Sequence, residues 1–412
     1  MAPAPNDAEI RTPLRILTYS HDSFGLGHLR RSVTLATALV ARGRSVHALC
    51  LTGSPVPDLF ALPERCDLVK LPSIGKDREG GYVARRLPMS ANEITSLRSD
   101  LITATVRSFR PDLLLVDHTA SGPGEELLPV LRRLRHEHFV TRVVLGMRDV
   151  LDTPQRARHE LHQNGTFEVL RHYYDQVLVY GDPGVFDPIR EYGFPADIAA
   201  KTTFTGPVVP AEAHRPRHAR SPGDTPRLVV TPGGGEDGYE LLRGAVAALR
   251  GPLRAMALQA TVVAGPLLAD GDFAALQRAV QNDARITLLR CSGAMQELLG
   301  AADLVLGMGG YNTVYECLAR GLPLIAVPRR RPREEQWERC RRLAANGHLH
   351  LFDGADGIDP HALAAAIRAA LAGDGPRPER LLCHGADQAA RLCLEQRRQR
   401  SAGPTSFARL GG

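Results

Sequence analysis

The residues with the most chemical promise lie where short apolar runs give way to glycine. Residues 14–20 lead at once into His21-Asp22-Ser23-Phe24-Gly25-Leu26-Gly27-His28, where a helical pattern begins. Glycines at 25 and 27 let the backbone turn tightly and approach a ligand, and a helix start offers free N–H groups and partial positive charge. His28 stands where a general base would; the alternative is a polar first-turn residue without a role. A second run ends Leu115-Val116-Asp117-His118. Asp117 either orients and charge-stabilises an imidazole in the same crevice or caps the following turn. Arg148-Asp149 closes another run, and an internal ion pair accounts for it as well as a ligand does.

The later part of the chain repeats the arrangement. Thr231-Pro232-Gly233-Gly234-Gly235-Glu236-Asp237-Gly238 follows an apolar run. Gly234 and Gly235 there form either a loop that wraps phosphate or sugar, or a plain turn. Leu306-Gly307-Met308-Gly309-Gly310-Tyr311-Asn312-Thr313-Val314-Tyr315-Glu316 carries more. A strand ends, Gly309 and Gly310 allow close approach, and a helix opens with Asn312 and Thr313 donating near its N-terminus. That makes a diphosphate site from backbone N–H groups, with no metal required. Glu316 shares a helix face with Asn312 and Thr313 and is placed to accept both hydroxyls of a ribose. Pro328-Arg329-Arg330-Arg331-Pro332-Arg333-Glu334-Glu335-Gln336 offers Glu335 and Gln336 to sugar hydroxyls, while its arginines neutralise a phosphate or are simply solvated. Asp270-Gly271-Asp272 has the form of a metal-binding DxD but reads as a turn. No His/Asp/Glu cluster has metal-ligand spacing.

Those loops need strands and helices to hold them. Apolar runs at 14–20, 45–52, 113–116, 143–147 and 177–180 alternate with helical patterns, the mark of parallel-sheet βα units. Leu29, Val33, Ala36 and Val40 fall at helical spacing behind the first run. The rhythm restarts at 228–231, 261–264, 286–289, 304–306 and 324–327. Between the halves, prolines at 207, 210, 216, 222 and 226 exclude a continuing sheet or helix. The expectation is an α/β chain of two Rossmann-like parallel-sheet domains facing a central cleft. A first domain at 1–206 is followed by a linker at 207–226 and a second domain at 227–377. A helix at 378–400 packs back toward the first domain, and 401–412 is a tail. Open α/β sheets bind ligands at the C-terminal ends of their strands, where the loops above lie.

Composition narrows the classes. With 412 residues, 43% hydrophobic and 23% charged, the chain suits two ordinary globular domains. No stretch approaches the roughly 20 apolar residues of a membrane span, and residues 1–12 lack the pattern of a signal peptide. Seven scattered cysteines without a CxxC pair point to a reduced compartment, the cytoplasm, and away from structural zinc. Among 51 basic residues only Lys70, Lys76 and Lys201 are lysines. The net charge of +6 fits a solvated surface, an anionic ligand, or peripheral contact with an anionic membrane. Basic stretches without interleaved aromatics give no support for nucleic acid. The strand at 45–52 ends Leu51-Thr52-Gly53-Ser54 without an acidic residue, which disfavours an NAD dehydrogenase.

Together these residues resemble the GT-B glycosyltransferases related to the N-acetylglucosaminyltransferase that makes lipid II (glycosyltransferase family 28-like), and in detail a bacterial family of predicted glycosyltransferases. The resemblance runs from Arg15 to about Arg391. It rests on Phe24-Gly25-Leu26-Gly27-His28-Leu29-Arg30-Arg31, Met147-Arg148-Asp149-Val150-Leu151-Asp152, Tyr180-Gly181-Asp182-Pro183 and Pro332-Arg333-Glu334-Glu335-Gln336. It implies a UDP-sugar co-substrate on the second domain, a small-molecule or glycan acceptor on the first, and inversion at the anomeric carbon without metal or cofactor. By the same resemblance Glu316 holds the ribose, Gly309 to Thr313 the diphosphate, and Glu335-Gln336 the transferred sugar. Arg290-Cys291-Ser292 meets the uracil through its backbone, and Gly27 approaches the donor. The first loop departs from the GGTGGH type, and no apolar-plus-basic patch marks a lipid acceptor. Gly25 to Arg31 and Asp117-His118 also resemble the UDP-sugar hydrolase of pseudaminic acid synthesis, which implies water as acceptor. A catalytically silent nucleotide-sugar-binding partner is the third reading, and the intact His28 and Asp117 weigh against it.

Overall fold

Seven parallel strands form the first sheet and six the second, and each sheet follows the hydrophobic runs in the chain. The structure, a computed structural model, describes residues 13–21, 26–76, 81–137, 140–215, 221, 223–373, 381 and 383–401. The first sheet contains β1 (Leu14–Ser20), β2 (Val46–Thr52), β3 (Cys66–Lys70), β6 (Leu113–Asp117), β7 (Arg142–Arg148), β8 (Gln176–Tyr180) and β9 (Thr202–Phe204), in spatial order β3-β2-β1-β6-β7-β8-β9. A small antiparallel hairpin, β4 (Ile74–Lys76) with β5 (Tyr82–Ala84), stands beside it. The second sheet contains β10 (Arg227–Thr231), β11 (Gln259–Val263), β12 (Ile286–Leu289), β13 (Leu304–Gly307), β14 (Leu324–Ala326) and β15 (His350–Leu351), in order β12-β11-β10-β13-β14-β15.

Central strands are covered on both faces, so their sequences are apolar throughout. All five residues of β6, Leu-Leu-Leu-Val-Asp, are buried, and the polar one sits at the C-terminal end. Leu17, Leu114, Val116, Leu145 and Val177 belong to one core. Truncating such a side chain to alanine costs about 2–5 kcal/mol. The strands the sequence left unassigned, β3, β4, β5, β9 and β15, are short, and all but β4, whose Ile74 is buried, are partly exposed. They carry no continuous apolar run to mark them.

The chain passes between the domains twice. After β9 it runs through Val208 and a short 3-10 turn, Ala211–His214, toward β10; residues 216–220 and 222 of the expected linker lie outside the described residues. It returns at His384, which forms an antiparallel bridge with Val208, while the Gly385 N–H donates to the Pro207 carbonyl at 3.0 Å. The last helix is Gly385–Ser401, shorter at its start than the expected 378–400; residues 378–380 and 382 lie outside the described residues. It lies against the helix Gly27–Val40, with Arg142 donating to the Leu392 and Cys393 carbonyls at 3.1 and 2.8 Å.

Candidate functional site

The helix Gly27–Val40 starts directly beyond β1, and residues three apart on it share a face. His28 and Arg31 therefore point together toward the end of β6, where Asp117 waits. His28 Nδ1 lies 2.5 Å from Asp117 Oδ2. Arg31 clasps the same carboxylate from two sides, Nε to Oδ1 and Nη2 to Oδ2, both at 2.7 Å. Burial alone would raise the Asp117 pKa, but the Arg31 guanidinium and His28 outweigh it and hold the carboxyl well below its usual range. With Nδ1 engaged, Nε2 is the nitrogen His28 has left for the cavity it lines. Of the two sequence readings of Asp117, orientation of an imidazole matches this geometry. Arg31 is the partner sequence reasoning missed; its i+3 spacing from His28 was the available signal. Residues 22–25, including Gly25, lie outside the described residues.

Neighbouring strand ends bring more groups alongside. His21 follows β1 and His118 follows β6, with ring centroids 4.4 and 5.3 Å from His28. Burial, reinforced by surrounding positive charge, holds both imidazoles well below their usual pKa, and neither Nδ1 has a hydrogen-bond partner. His118 adopts φ 74°, a left-handed conformation rare outside glycine. Arg148 ends β7 and lines the cavity. Of the two readings of Arg148-Asp149, the internal ion pair holds for Asp149, which is buried and bound by Arg339 Nη2 at 2.7 Å and by the Tyr315 hydroxyl at 2.6 Å. Both partners come from the other domain. Asp152 makes a similar link, accepting from the Glu334 N–H at 3.0 Å and from Arg333 at 3.2 Å. The stretches 147–152 and 332–336 thus face each other across the domain seam.

Opposite His28 stands the start of the helix Tyr311–Arg320. Its first i→i−4 bond runs from the Val314 N–H to the Gly310 carbonyl at 3.0 Å, so the N–H groups before it are left for a ligand. Gly310, Tyr311, Asn312 and Thr313 line the cavity, and Asn312 Nδ2 reaches the Gly27 carbonyl at 3.3 Å. Gly309 has φ 79°, and a Cβ there would come within 2.4 Å of Cys340 Sγ. Gly235 has φ 93°, and its Cβ would meet the Ala264 carbonyl at 2.5 Å. Only glycine fits either position.

Glu316 sits one turn into that helix, behind the cavity wall. Its Oε2 accepts from Arg30 Nη2 at 2.6 Å and from Gln296 Nε2 at 2.8 Å, so a ribose would have to replace Arg30. Burial pushes the Glu316 pKa up, with Arg30 pulling the other way. Glu335 and Gln336 begin the helix Glu335–Ala345 and line the cavity. Glu335 Oε1 accepts from Arg329 at 2.8 Å, while its buried Oε2 has no partner. Gly27, Gly234, Gly235 and Ser292 also line the cavity. Arg290 does not; its side chain turns to Asp270 at 2.7 Å and the Leu268 carbonyl at 2.8 Å. Asp270 and Asp272 occupy the first turn of the helix Asp270–Val280. Among the described residues no group of three His, Cys, Asp or Glu side chains could hold a metal ion.

The lining residues surround a cleft of about 750 Å³ between the domains, within the range of cofactor-sized sites. Residues 257–375 match the model of the glycosyltransferase family 28 C-terminal domain. No curated protein matches the chain. Among solved structures it is similar to MurG of Acinetobacter baumannii, with TM-score 0.57 and 13% identity, covering 93% of this chain and 100% of that one. It is similar to Phytolacca americana UGT2 complexed with UDP-2-fluoro-glucose and pterostilbene, with TM-score 0.59, 16% identity and coverage of 94% and 99%. It is also similar to a provisionally assigned UDP-N-acetylglucosamine 2-epimerase of Listeria monocytogenes, with TM-score 0.63, 14% identity and coverage of 97% and 100%. At these identities the likeness is one of fold.

Proposed function

Because the chain has the GT-B fold and carries the glycosyltransferase family 28 C-terminal domain, we propose that it moves a sugar from a UDP-sugar to an acceptor hydroxyl or amine, with inversion and without a metal. One observation carries this reading: an Asp117-oriented His28 stands on the cavity wall opposite the open N-terminus of the helix Tyr311–Arg320.

Each half then has its task. The N–H groups of residues 311–313 and the helix dipole take the donor's diphosphate and stabilise it as it leaves. Glu335 Oε2 accepts from a hydroxyl of the transferred sugar, and Glu316 takes the ribose once Arg30 has left it. The acceptor lies against the first domain. His28 Nε2 removes its proton as the oxygen or nitrogen attacks the anomeric carbon from the face opposite the departing UDP, and Asp117 stabilises the imidazolium that results.

The test begins with a panel of UDP- and dTDP-sugars, read by the rise in melting temperature. The donor that stabilises the protein is then incubated with and without acceptors in EDTA, and the anomer of the product is determined. Fast, saturable release of free sugar, unchanged by any acceptor, would make the protein a hydrolase. Turnover lost in EDTA and restored by magnesium would overturn the metal-free mechanism.

A further inference from the structure

None of the described carboxylates near Arg148 forms an ion pair with it. Asp117 is held by Arg31 and His28, and Asp149 by Arg339 and Tyr315. Glu335, the carboxylate that acts on Arg148 most strongly, is bound to Arg329. Arg148 forms no ion pair among the described residues, and its Nε is buried without a hydrogen-bond partner. Burial pulls its pKa down to about 10, so it remains charged at neutral pH. The side chain is half-buried on the cleft wall, so it stands there as a cation without an ion pair among the described residues and suits a ligand that brings the anion.

From these contacts we propose that Arg148 docks an oxyanion of the acceptor, a carboxylate or a phosphate, so that the acceptor is an acid and not a neutral alcohol. This rests on the transfer reading above. Arg148 and His28 line the same side of the cavity, from the ends of β7 and β1, with only β6 between those strands. Neighbouring strands are about 4.8 Å apart, which puts the bound anion on the order of 5–10 Å from the reacting hydroxyl. That is the span of a hydroxylated ring acid. A planar guanidinium can grip either oxyanion through two parallel hydrogen bonds. The donor's diphosphate has its own site on the opposite domain, at residues 311–313.

Calorimetry decides the matter with glucuronate, glucose 6-phosphate and neutral glucose, titrated into the protein with and without UDP. The expected result is that one charged sugar binds at least tenfold tighter than glucose, and its identity tells carboxylate from phosphate. Arg148→Gln should abolish that preference, keep the UDP Kd within twofold, and melt no lower than wild type because an unpaired cation has been removed. Arg148→Lys, which keeps the charge but not the fork, should retain an intermediate preference. Equal binding of all three sugars by wild type would overturn the proposal. So would weaker UDP binding by Arg148→Gln, which would put the guanidinium on the donor. A fall in Tm of several degrees would make it a structural cation instead. If wild type fails to bind UDP, the transfer reading falls, while the titrations without UDP still judge Arg148.

Discussion

The two neutral imidazoles beside His28 make the fold acid-sensitive in a calculable way. His21 is buried and His118 half-buried with its Nδ1 enclosed, and their native pKa values are pushed well below the ordinary 6.5, first by desolvation and then by nearby positive charge. Below about pH 6.5 the unfolded chain therefore binds protons that the native protein does not, and stability falls as pH falls. Above that pH the contribution is complete. One pH unit below 6.5, each histidine withdraws about 1.4 kcal/mol, so the pair withdraws about 3 kcal/mol between pH 7.5 and 5.5. That is a large share of a typical total stability of about 5–15 kcal/mol. The depressed Asp117 carboxyl acts with the same sign, but only below about pH 4, outside this window. The assay is urea unfolding at pH 7.5, 6.5 and 5.5 for wild type and a His21→Gln/His118→Asn double variant. Asparagine is chosen at 118 because it tolerates the φ of 74° found there. The variant should lose about 3 kcal/mol less than wild type across the window. Equal pH slopes would refute the claim that these rings are held as neutral groups.

Other substitutions probe the remaining parts. His28→Ala should cut turnover about 10²–10⁴-fold while leaving UDP affinity by calorimetry unchanged. Glu316→Ala should weaken UDP binding at least about tenfold through lost charge-assisted hydrogen bonds. Arg30→Gln, which removes only the competing cation, should keep or improve it, and weaker UDP binding in both variants would assign Arg30 to the ligand. Gly309→Ala meets both the Cys340 contact and a positive φ, and should lower stability by about 1–3 kcal/mol in thermal unfolding. Arg339→Met strands Asp149 at the domain seam and should cost about 3–5 kcal/mol. Restoring part of that loss with Asp149→Leu would show that the uncompensated charge is the cause.

What the sequence disclosed follows from where its information is local. Buried parallel strands announce themselves because both faces need apolar side chains, so β6 and β13 stood out, while half-exposed edge strands such as β3 did not. Strand-end residues were also legible: His28 and Asp117 stood out there, with turn capping still open for Asp117, and the structure sets them 2.5 Å apart. Pairings between distant segments were not legible. Asp149 meets Arg339 across 190 positions of chain and Glu316 meets Arg30 across 286. Nothing in local spacing favours those partners over nearer ones, which is why an internal ion pair and a ligand stayed equal readings of Arg148-Asp149. Asp270-Gly271-Asp272, read as a turn, opens the helix Asp270–Val280 instead.

The double passage between the domains has a mechanical consequence. Val208 and His384 tie the outgoing and returning segments into a two-stranded strap. The two crossings of the chain lie side by side there, so any movement of one domain against the other has its covalent hinge at this one place. The same strap marks a cassette: everything between residues 208 and 384 enters and leaves the architecture at one spot. A hybrid that exchanges this cassette, and keeps the helix Gly385–Ser401 with its own N-terminal domain, preserves the native helix–helix and Arg142 contacts. One that carries the helix along with the cassette discards them.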